Sequence, residues 1–489
     1  MKKKVSSPPD PIVRYRSLLS ETEISLLENS LSTPPPSAVR FNPLKGNSHQ
    51  MVMNLTQRLD WALQPITFCP DGYTVASSNI PPSRTLEARL GYFYIQDAAS
   101  MLPVELFEFI DTPTPLILDL TAAPGGKSTH LASRFNDRGI LIANDGTGSR
   151  IPALTSTLKT WGALCSAVTN MPGEKFGAWF PETFDIVLLD APCSMENFHP
   201  GDNNKREIQN AERARLAQRQ IQLLLSALRA CKVGGQVVYS TCTLAPEEDE
   251  GVLDTVLQFT GSTVEITNAG SRLGITVPGL TQAFGQTYSP ATAKSLRLWP
   301  HRLGTSGFFA AHLRKKATMP GILMESPTKP FIRSNLVPLP SRDYLYLTDF
   351  FLTRYGLNLT DILDEQNLTL ATFKQSVYAF PCMLESFFPG LPFRSTGLRL
   401  GDYTVSGFEI SLEWATRFGN MIKEGMLDLP EENRRSWSRG EDLPLESIGQ
   451  VDKGTVLIVK DLNGLVLGTG RVSSRGLKNL LPRHLALKS

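Results

Sequence analysis

The chain has 489 residues, 41% apolar and 20% charged, with 49 Lys plus Arg against 47 Asp plus Glu and a formal net charge of +2. That length suggests about three domains, and the composition excludes a collagen-like chain, a largely disordered chain and a disulfide-knit mini-protein. Near-neutrality means that a polyanionic partner has to be met by a local patch, because the global field is weak. In chain order, the basic start Met1-Lys2-Lys3-Lys4 has no apolar stretch behind it, which argues against a signal peptide. Prolines at 8, 9 and 11 and again at 34 to 36 mark extended turns, and between them Ile24–Leu31 has helical apolar spacing. From Tyr92 to Leu313 short apolar runs alternate with longer amphipathic stretches. Leu116–Leu120, Gly139–Ala143, Phe184–Asp190 and Gln236–Ser240 read as buried strands, and Ala211–Cys231, free of Gly and Pro, reads as a helix between the last two. This alternation predicts a parallel α/β sheet covered on both faces.

After Arg314-Lys315-Lys316, the prolines at 320, 327, 330, 338 and 340 read as a linker or irregular crossing segment. Beyond it, helices are expected near Asp343–Tyr355 and Ile410–Phe418. Strands are expected at Thr455–Val459 and Leu465–Leu467, joined through Asn463-Gly464, a strong hairpin signal. This predicts a separate, smaller α+β unit with a barrel-like end. No run of about 18 apolar residues exists, so no membrane span is expected. The six cysteines, Cys69, Cys165, Cys193, Cys231, Cys242 and Cys382, form no C-x-x-C pair. A zinc motif is therefore not expected, and sparse unpaired cysteines fit a reducing cytoplasm.

Asp119-Leu-Thr-Ala-Ala-Pro-Gly-Gly-Lys-Ser-Thr129 follows a strand and opens a helix. Its glycines allow close backbone approach, and a helix N-terminus offers free N–H groups to an anion. A phosphate-binding P-loop is excluded, since that motif needs glycine where Thr121 stands. A purely structural corner remains the alternative. The next strand ends in Asn144-Asp145, and a carboxylate there can accept from ribose hydroxyls; the alternative is a surface loop acid. Together the loop and Asp145 suggest a cofactor bearing a nucleoside, bound at the carboxyl ends of the strands.

Asp190-Ala-Pro-Cys-Ser194 ends the third run and Ser240-Thr-Cys-Thr-Leu244 the fourth, so two cysteines stand where ligand crevices form. A thiolate there is a strong nucleophile if its pKa is lowered. The other four cysteines read as small buried hydrophobes. Glu247-Glu248-Asp249-Glu250 reads as the acidic first turn of a solvated helix.

These blocks resemble the signatures of the RNA (cytosine-5) methyltransferases of the Sun/Nop type. Tyr94–Met101 is similar to the family's segment leading into the catalytic domain, Arg40-Phe-Asn-Pro-Leu-Lys45 to its N-terminal R-x-N-x-L-K block, and Arg297–His301 with Gly307–Phe309 to the domain's final block. Arg475–Arg483 resembles the PUA-like tail of the bacterial ribosomal-RNA members. The resemblance spans nearly the whole chain. It implies a Rossmann-like S-adenosyl-L-methionine-dependent methyltransferase domain with an N-terminal α+β extension and a C-terminal PUA-like α+β domain. The expected boundaries are an RNA-binding extension at 1–90, the catalytic domain at 91–316, a linker and pre-PUA segment at 317–400, and the PUA-like domain at 401–489.

By the same resemblance, Cys242 attacks C6 of a cytosine, Asp190 hydrogen-bonds its N3, and Cys193 serves the release step. Thr121, Ala122, Ala123, Pro124, Gly125, Gly126 and Lys127 wrap the methionine part of the cofactor. Asp145 holds the ribose, and Asp190 sits beside the methyl donor. No metal is implied. The partner is structured RNA of the small ribosomal subunit (16S type), with transfer RNA as an alternative. The chain departs from the family pattern at Pro172, where an acidic residue is usual, at Met195 and Asn197, where glycines are usual, and at His199-Pro-Gly-Asp202, where a basic run is usual. These departures support a second reading, an RNA-binding assembly factor without catalysis.

Three basic stretches suggest a path for a phosphate backbone. The first holds Lys205, Arg206, Arg213, Arg215, Arg219, Arg229 and Lys232; the second holds Lys294, Arg297, Arg302, Arg314, Lys315 and Lys316, with no acid among them. The third holds Lys453, Lys460, Arg471, Arg475, Lys478, Arg483 and Lys488.

Overall fold

A computed structural model describes residues 12–198, 208–328, 336–444 and 451–487. The strands run in chain order as follows. An N-terminal group contains β1 (Ala38–Phe41), β2 (Ala62–Pro65), β3 (Gly72–Ser77) and β4 (Phe93–Gln96). The catalytic group contains β5 (Leu116–Asp119), β6 (Ile140–Asn144), β7 (Ser166–Thr169), β8 (Phe184–Asp190), β9 (Cys231–Thr241), β10 (Val264–Ile266), the short ribbon β11 (Gln282–Ala283) and β12 (Gln286–Thr287), β13 (Leu296–Leu298) and β14 (Phe308–Lys315). A middle group contains β15 (Val337–Pro338), β16 (Leu368–Phe373), β17 (Ser376–Pro381), β18 (Ser395–Thr396), β19 (Leu398–Thr404) and β20 (Gly407–Ile410). The last group contains β21 (Met426–Asp428), β22 (Leu443–Pro444), β23 (Val456–Lys460), β24 (Val466–Ser473) and β25 (Gly476–Asn479).

The central sheet has the order β10-β14-β9-β8-β5-β6-β7-β18. Pairs β5–β6, β6–β7, β5–β8 and β8–β9 are parallel, and β14 closes antiparallel on β9. Successive residues of β5 explain the two covered faces. Leu116 and Leu118 enter one apolar cluster with Ile140 and Val187, while Ile117 enters the other with Leu141 and Ile186. Such a strand has no solvated face, so it is apolar at every position rather than at alternate ones. The helix Asn210–Ala230 crosses between β8 and β9 and buries Leu223, Leu224, Ala227 and Leu228 against the first cluster. The chain leaves β5 toward β6 on one side, while β8 joins on the other. The crevice at the carboxyl ends of β5 and β8 is therefore a topological switch point, where ligands bind in such sheets.

The flanking units are bolted to this sheet. Arg40 donates to Gly126 O at 3.1 Å and Thr129 Oγ1 at 2.8 Å and lies over the Trp161 ring. Asn42 donates to Gly91 O and Trp161 O, and Lys45 to Leu90 O, Thr160 O and Thr416 Oγ1. The polar side chains of the Arg40–Lys45 block thus face inward, as inter-unit cement. Burial pushes the Lys45 ammonium down to about 7.

The expected boundary at 400/401 is corrected, because it cuts through β19. Strands β15, β16, β17, β19 and β20 form one antiparallel sheet, so 317–400 is not a linker followed by a new domain. The proline-rich stretch misled because β15 is an edge strand, where a missing N–H costs no ladder bond. The last sheet has the order β21-β23-β24-β25-β22, and β23 and β24 pair through the expected Asn463-Gly464 turn, with Gly464 at φ +82°. Among the described residues no helix is long and apolar enough to cross a membrane.

Candidate active site

The loop after β5 turns through Gly125, whose φ of +110° is left-handed and suits glycine, into the helix Gly126–Arg134. A Cβ on Gly126 would lie 2.8 Å from Tyr94 Cε1, so the loop and β4 meet closely. Between them is a cavity of about 200 Å³. It is lined by Thr121, Ala122, Ala123, Pro124, Gly126, Lys127 and Asp190 of the expected set, and also by Tyr94, Ile95, Gln96, Ser100 and Asp119. Gly125 and Asp145 do not line it. Asp145 is not a surface acid: it is buried, accepting from Ala123 N at 3.2 Å and Thr147 N at 2.8 Å, with Arg150 at 3.4 Å. Asp119 is an acid of the cavity wall that the sequence reading missed. Ser128 donates to its Oδ2 at 2.6 Å, its Oδ1 has no partner among the described residues, and burial pushes its carboxyl up to about 7. The signal was available, since Asp119 is the only polar residue of the β5 run.

Asp190 is gripped on both oxygens, by Lys127 Nζ at 2.7 Å and by Ser240 Oγ at 2.8 Å. Lys127 Nζ also lies over the Phe308 ring. The two strand-end cysteines meet, with Cys193 Sγ 3.0 Å from Cys242 Sγ. The hydrogen bond from Cys193 holds the Cys242 thiol below its ordinary range, with help from Lys127 and against burial and Asp190. The same hydrogen bond, then burial, push Cys193 well up. Either sulfur can donate in this contact, and the Lys127 charge favours ionisation at Cys242.

The loop after Cys193 is pinned. Ser194 N donates to Glu248 Oε2 at 3.0 Å, Ser194 Oγ lies 3.0 Å from Thr243 Oγ1, and Glu196 pairs with Arg213 at 2.5 Å and Arg14 at 3.4 Å. Met195 sits at φ +63° with 61% of its surface exposed. Pro172 is exposed, while Asn170 Nδ2 donates to Asp145 O. His199, Pro200, Gly201 and Asp202 lie outside the described residues.

Two expectations are corrected. Glu248, Asp249 and Glu250 are fully buried, not a solvated turn. Arg297 is also fully buried and binds Asp249 at 3.1 Å, Glu250 and Leu244 O. In the second basic stretch four cations are ion-paired, Arg302 with Glu23, Arg314 with Glu108, Lys315 with Glu182 and Lys316 with Glu265, while Lys294 is exposed. In the first stretch, Lys205 and Arg206 lie outside the described residues, and Arg213, Arg219 and Lys232 pair with Glu196, Glu174 and Asp185. In the third, Lys460 is buried and Arg471 pairs with Glu409, while Lys453, Arg475, Lys478 and Arg483 are exposed and Lys488 lies outside the described residues.

A buried trio, Cys69, Glu105 and His130, has its ligand-type atoms within 4.8 Å of one another. It comes from three distant segments, so no spacing rule could find it. His130 already pairs with Glu105 at 2.9 Å, and Arg134 stands 3.5 Å from the same carboxylate. Burial pushes the His130 imidazole down to about 4 and the Cys69 thiol up. A neutral thiol and a carboxylate already paired make a charge-balanced network, and nothing assigns it a metal.

A Rossmann-like sheet with a glycine-turn cavity walled by Asp119 and Asp190 is the framework of an S-adenosyl-L-methionine-dependent methyltransferase. The acids suit a cationic ligand, and the glycine turn leaves room for it. Residues 110–314 match the family described as 16S rRNA methyltransferase RsmB/F, and residues 8–98 match the N-terminal domain of 16S rRNA methyltransferase RsmF. The chain is 31% identical over 489 residues to a ribosomal RNA small subunit methyltransferase F of Aeromonas hydrophila, covering 98% of this chain and 97% of that one. It is 30% identical to the protein of that name from Vibrio vulnificus, over 92% of this chain and 91% of that one. A solved methyltransferase homologue from Pyrococcus horikoshii superposes with a TM-score of 0.54 at 27% identity, over 63% of this chain and 100% of that one. The chain belongs to the RsmB/F family of RNA methyltransferases, and its cofactor is S-adenosyl-L-methionine.

Proposed function

We propose that this protein methylates C5 of a cytosine in the RNA of the small ribosomal subunit, in the cytoplasm, through a covalent adduct with Cys242. The observation that carries this reading is the thiol pair 3.0 Å apart at the ends of β8 and β9 beside Asp190. Cytosine C5 is a weak nucleophile until a thiolate adds at C6 and makes C5 enamine-like. Cys242 is taken as the nucleophile, because the Lys127 cation acts on it and favours its thiolate. Asp190, fixed by Lys127 and Ser240, faces the base at N3, and a proton shared between its carboxyl and N3 steadies the negative charge that addition at C6 builds there. Bound S-adenosyl-L-methionine supplies the methyl group that C5 takes. Cys193 then removes the C5 proton, and Cys242 leaves. The target base must be unstacked to reach the crevice. The exposed cations Lys453, Arg475, Lys478 and Arg483 of the last, PUA-like unit offer contacts to the RNA backbone.

Trapping tests the reading. Small-subunit RNA carrying 5-fluorocytosine, mixed with the protein and S-adenosyl-L-methionine and then denatured, is expected to give a band of protein bonded to RNA, because fluorine cannot leave as a proton. RNA binding without any such band would favour the assembly-factor reading.

Asp119 adds a pH dependence. Its carboxyl, near 7 in the folded protein, carries a proton below that pH that the unfolded chain would lose near its ordinary 3.8. The stability this proton lends is therefore full below about pH 4 and is lost as pH rises through 7. The cationic cofactor prefers the ionised carboxylate. Its affinity, measured by calorimetry, is expected to rise several-fold from pH 6 to pH 8 and to be flat in Asp119→Asn. A flat profile in the unaltered protein would remove Asp119 from the cofactor site.

A further inference from the structure

Cys193 and Cys242 share a hydrogen bond at 3.0 Å, and with Cys242 ionised beside Lys127 the donor in it is Cys193. Once Cys242 is bonded to C6, Cys193 is still a thiol. It can remove the C5 proton only after its own proton has gone elsewhere. Asp190 is a poor receiver, because Lys127 and Ser240 already occupy both its oxygens.

Glu248 is the carboxylate bonded to the turn that carries Cys193, through the N–H of the next residue. The residue is fully buried beneath the loop that carries Cys193. Its Oε2 accepts from Ser194 N at 3.0 Å and from Gln220 Nε2 at 2.9 Å. Its Oε1 has no partner among the described residues, and neither has Gln220 Oε1 beside it. Gln220 Nε2 also donates to Pro192 O at 2.9 Å, so both side chains are fixed against the Pro192-Cys193-Ser194 turn. Two adjacent buried acceptors without a donor are costly, and a proton arriving on Glu248 supplies the missing donor. The negative charge of Glu248 raises the Cys193 thiol, so the two groups interact, and a proton on Glu248 removes that opposition. Burial raises the Glu248 carboxyl, against the Ser194 and Gln220 hydrogen bonds and with Glu196, and bonding of Cys242 to C6 removes the largest cause that raises Cys193. The remaining charged or titratable neighbours are Tyr239, whose hydroxyl donates to Glu248 O at 2.5 Å, and Asp249.

We propose that Glu248 is a positioning residue that takes the proton of Cys193 after Cys242 has bonded to C6, leaving the Cys193 thiolate to remove the C5 proton. This rests on the cytosine reading above. The S–H bond of Cys193 breaks as an O–H bond forms on Glu248. The C5–H bond then breaks toward Cys193, its electron pair makes the C5–C6 double bond, and the C6–S bond breaks with its pair going to Cys242. The thiol pair is restored, and Glu248 returns its proton to water.

Glu248→Gln keeps the size and the acceptor toward Ser194. With ordinary small-subunit RNA and S-adenosyl-L-methionine, this variant is expected to complete the first methyl transfer but to stay bonded to the methylated RNA in a denaturing gel. Its turnover should fall at least tenfold while calorimetric cofactor binding is unchanged. Turnover within twofold of the unaltered enzyme, with no accumulated adduct, would overturn the role of Glu248 and leave the cytosine reading intact. Failure of the unaltered enzyme to trap 5-fluorocytosine RNA would remove that reading and this role together. Should the variant not fold, the unaltered enzyme decides: adduct formed at pH 8 and shifted to pH 5 should release slowly, and release at the same rate at both pH values would refute the proposal.

Discussion

Cys242→Ala is expected to lower methyl transfer by at least ~10³-fold, since a covalent route has no substitute for its nucleophile. The trapped 5-fluorocytosine band should vanish with it. Cys193→Ala should behave differently. The adduct still forms, the release step fails, and ordinary RNA remains bonded to the protein. Its pH profile adds an independent readout. Cys193 holds the Cys242 thiol low by hydrogen bonding, so its removal lets that thiol rise toward its ordinary 9.0. The nucleophile is the thiolate, so the rising limb of adduct formation should move to higher pH. Adduct formation by Cys193→Ala with an unmoved limb would contradict the hydrogen-bond account of Cys242. Loss of the adduct in Cys193→Ala but not in Cys242→Ala would exchange the two roles.

The parts of this site that lie along one strand end or one turn were legible in the sequence. Leu116–Leu120 reads as a buried strand because every residue but Asp119 is apolar. The two cysteines read as site residues because each follows such a run, and sheet topology alone brings β8 beside β9. What could not be read was charge pairing across long separations. The cations at 294–316 have no acid near them in sequence, yet Glu23, Glu108, Glu182 and Glu265 reach them in space. Glu247–Glu250 looked solvated because charge runs usually are, and its partner Arg297 lies 47 residues away from Glu250. The cavity's second wall, Tyr94 to Ser100, belongs to a segment preceding the glycine turn, so its contribution depends on how β4 docks.

Arg297→Met is expected to be the most destabilising single change in the catalytic unit. The guanidinium is completely buried and is shared by Asp249, Glu250 and Leu244 O, with the Trp299 and Phe309 rings 5.5 and 5.7 Å from it. Removing it leaves two carboxylates in the core without their counter-charge, a change that costs about 3–5 kcal/mol. In a unit of this size that lowers the melting temperature by on the order of 10 °C. The damage should reach the chemistry, because Asp249 Oδ1 accepts from Thr241 Oγ1 at 2.6 Å, one residue before the nucleophile. Adding Asp249→Asn and Glu250→Gln to Arg297→Met should recover most of the melting temperature, since a neutral, well-packed replacement of a buried ion cluster is often tolerated. Thermal denaturation of the single and triple variants checks this. A single variant that melts within 2 °C of the unaltered protein would mean that the cluster is reached by water, and that Thr241 and Cys242 are held by the β8–β9–β14 ladder alone.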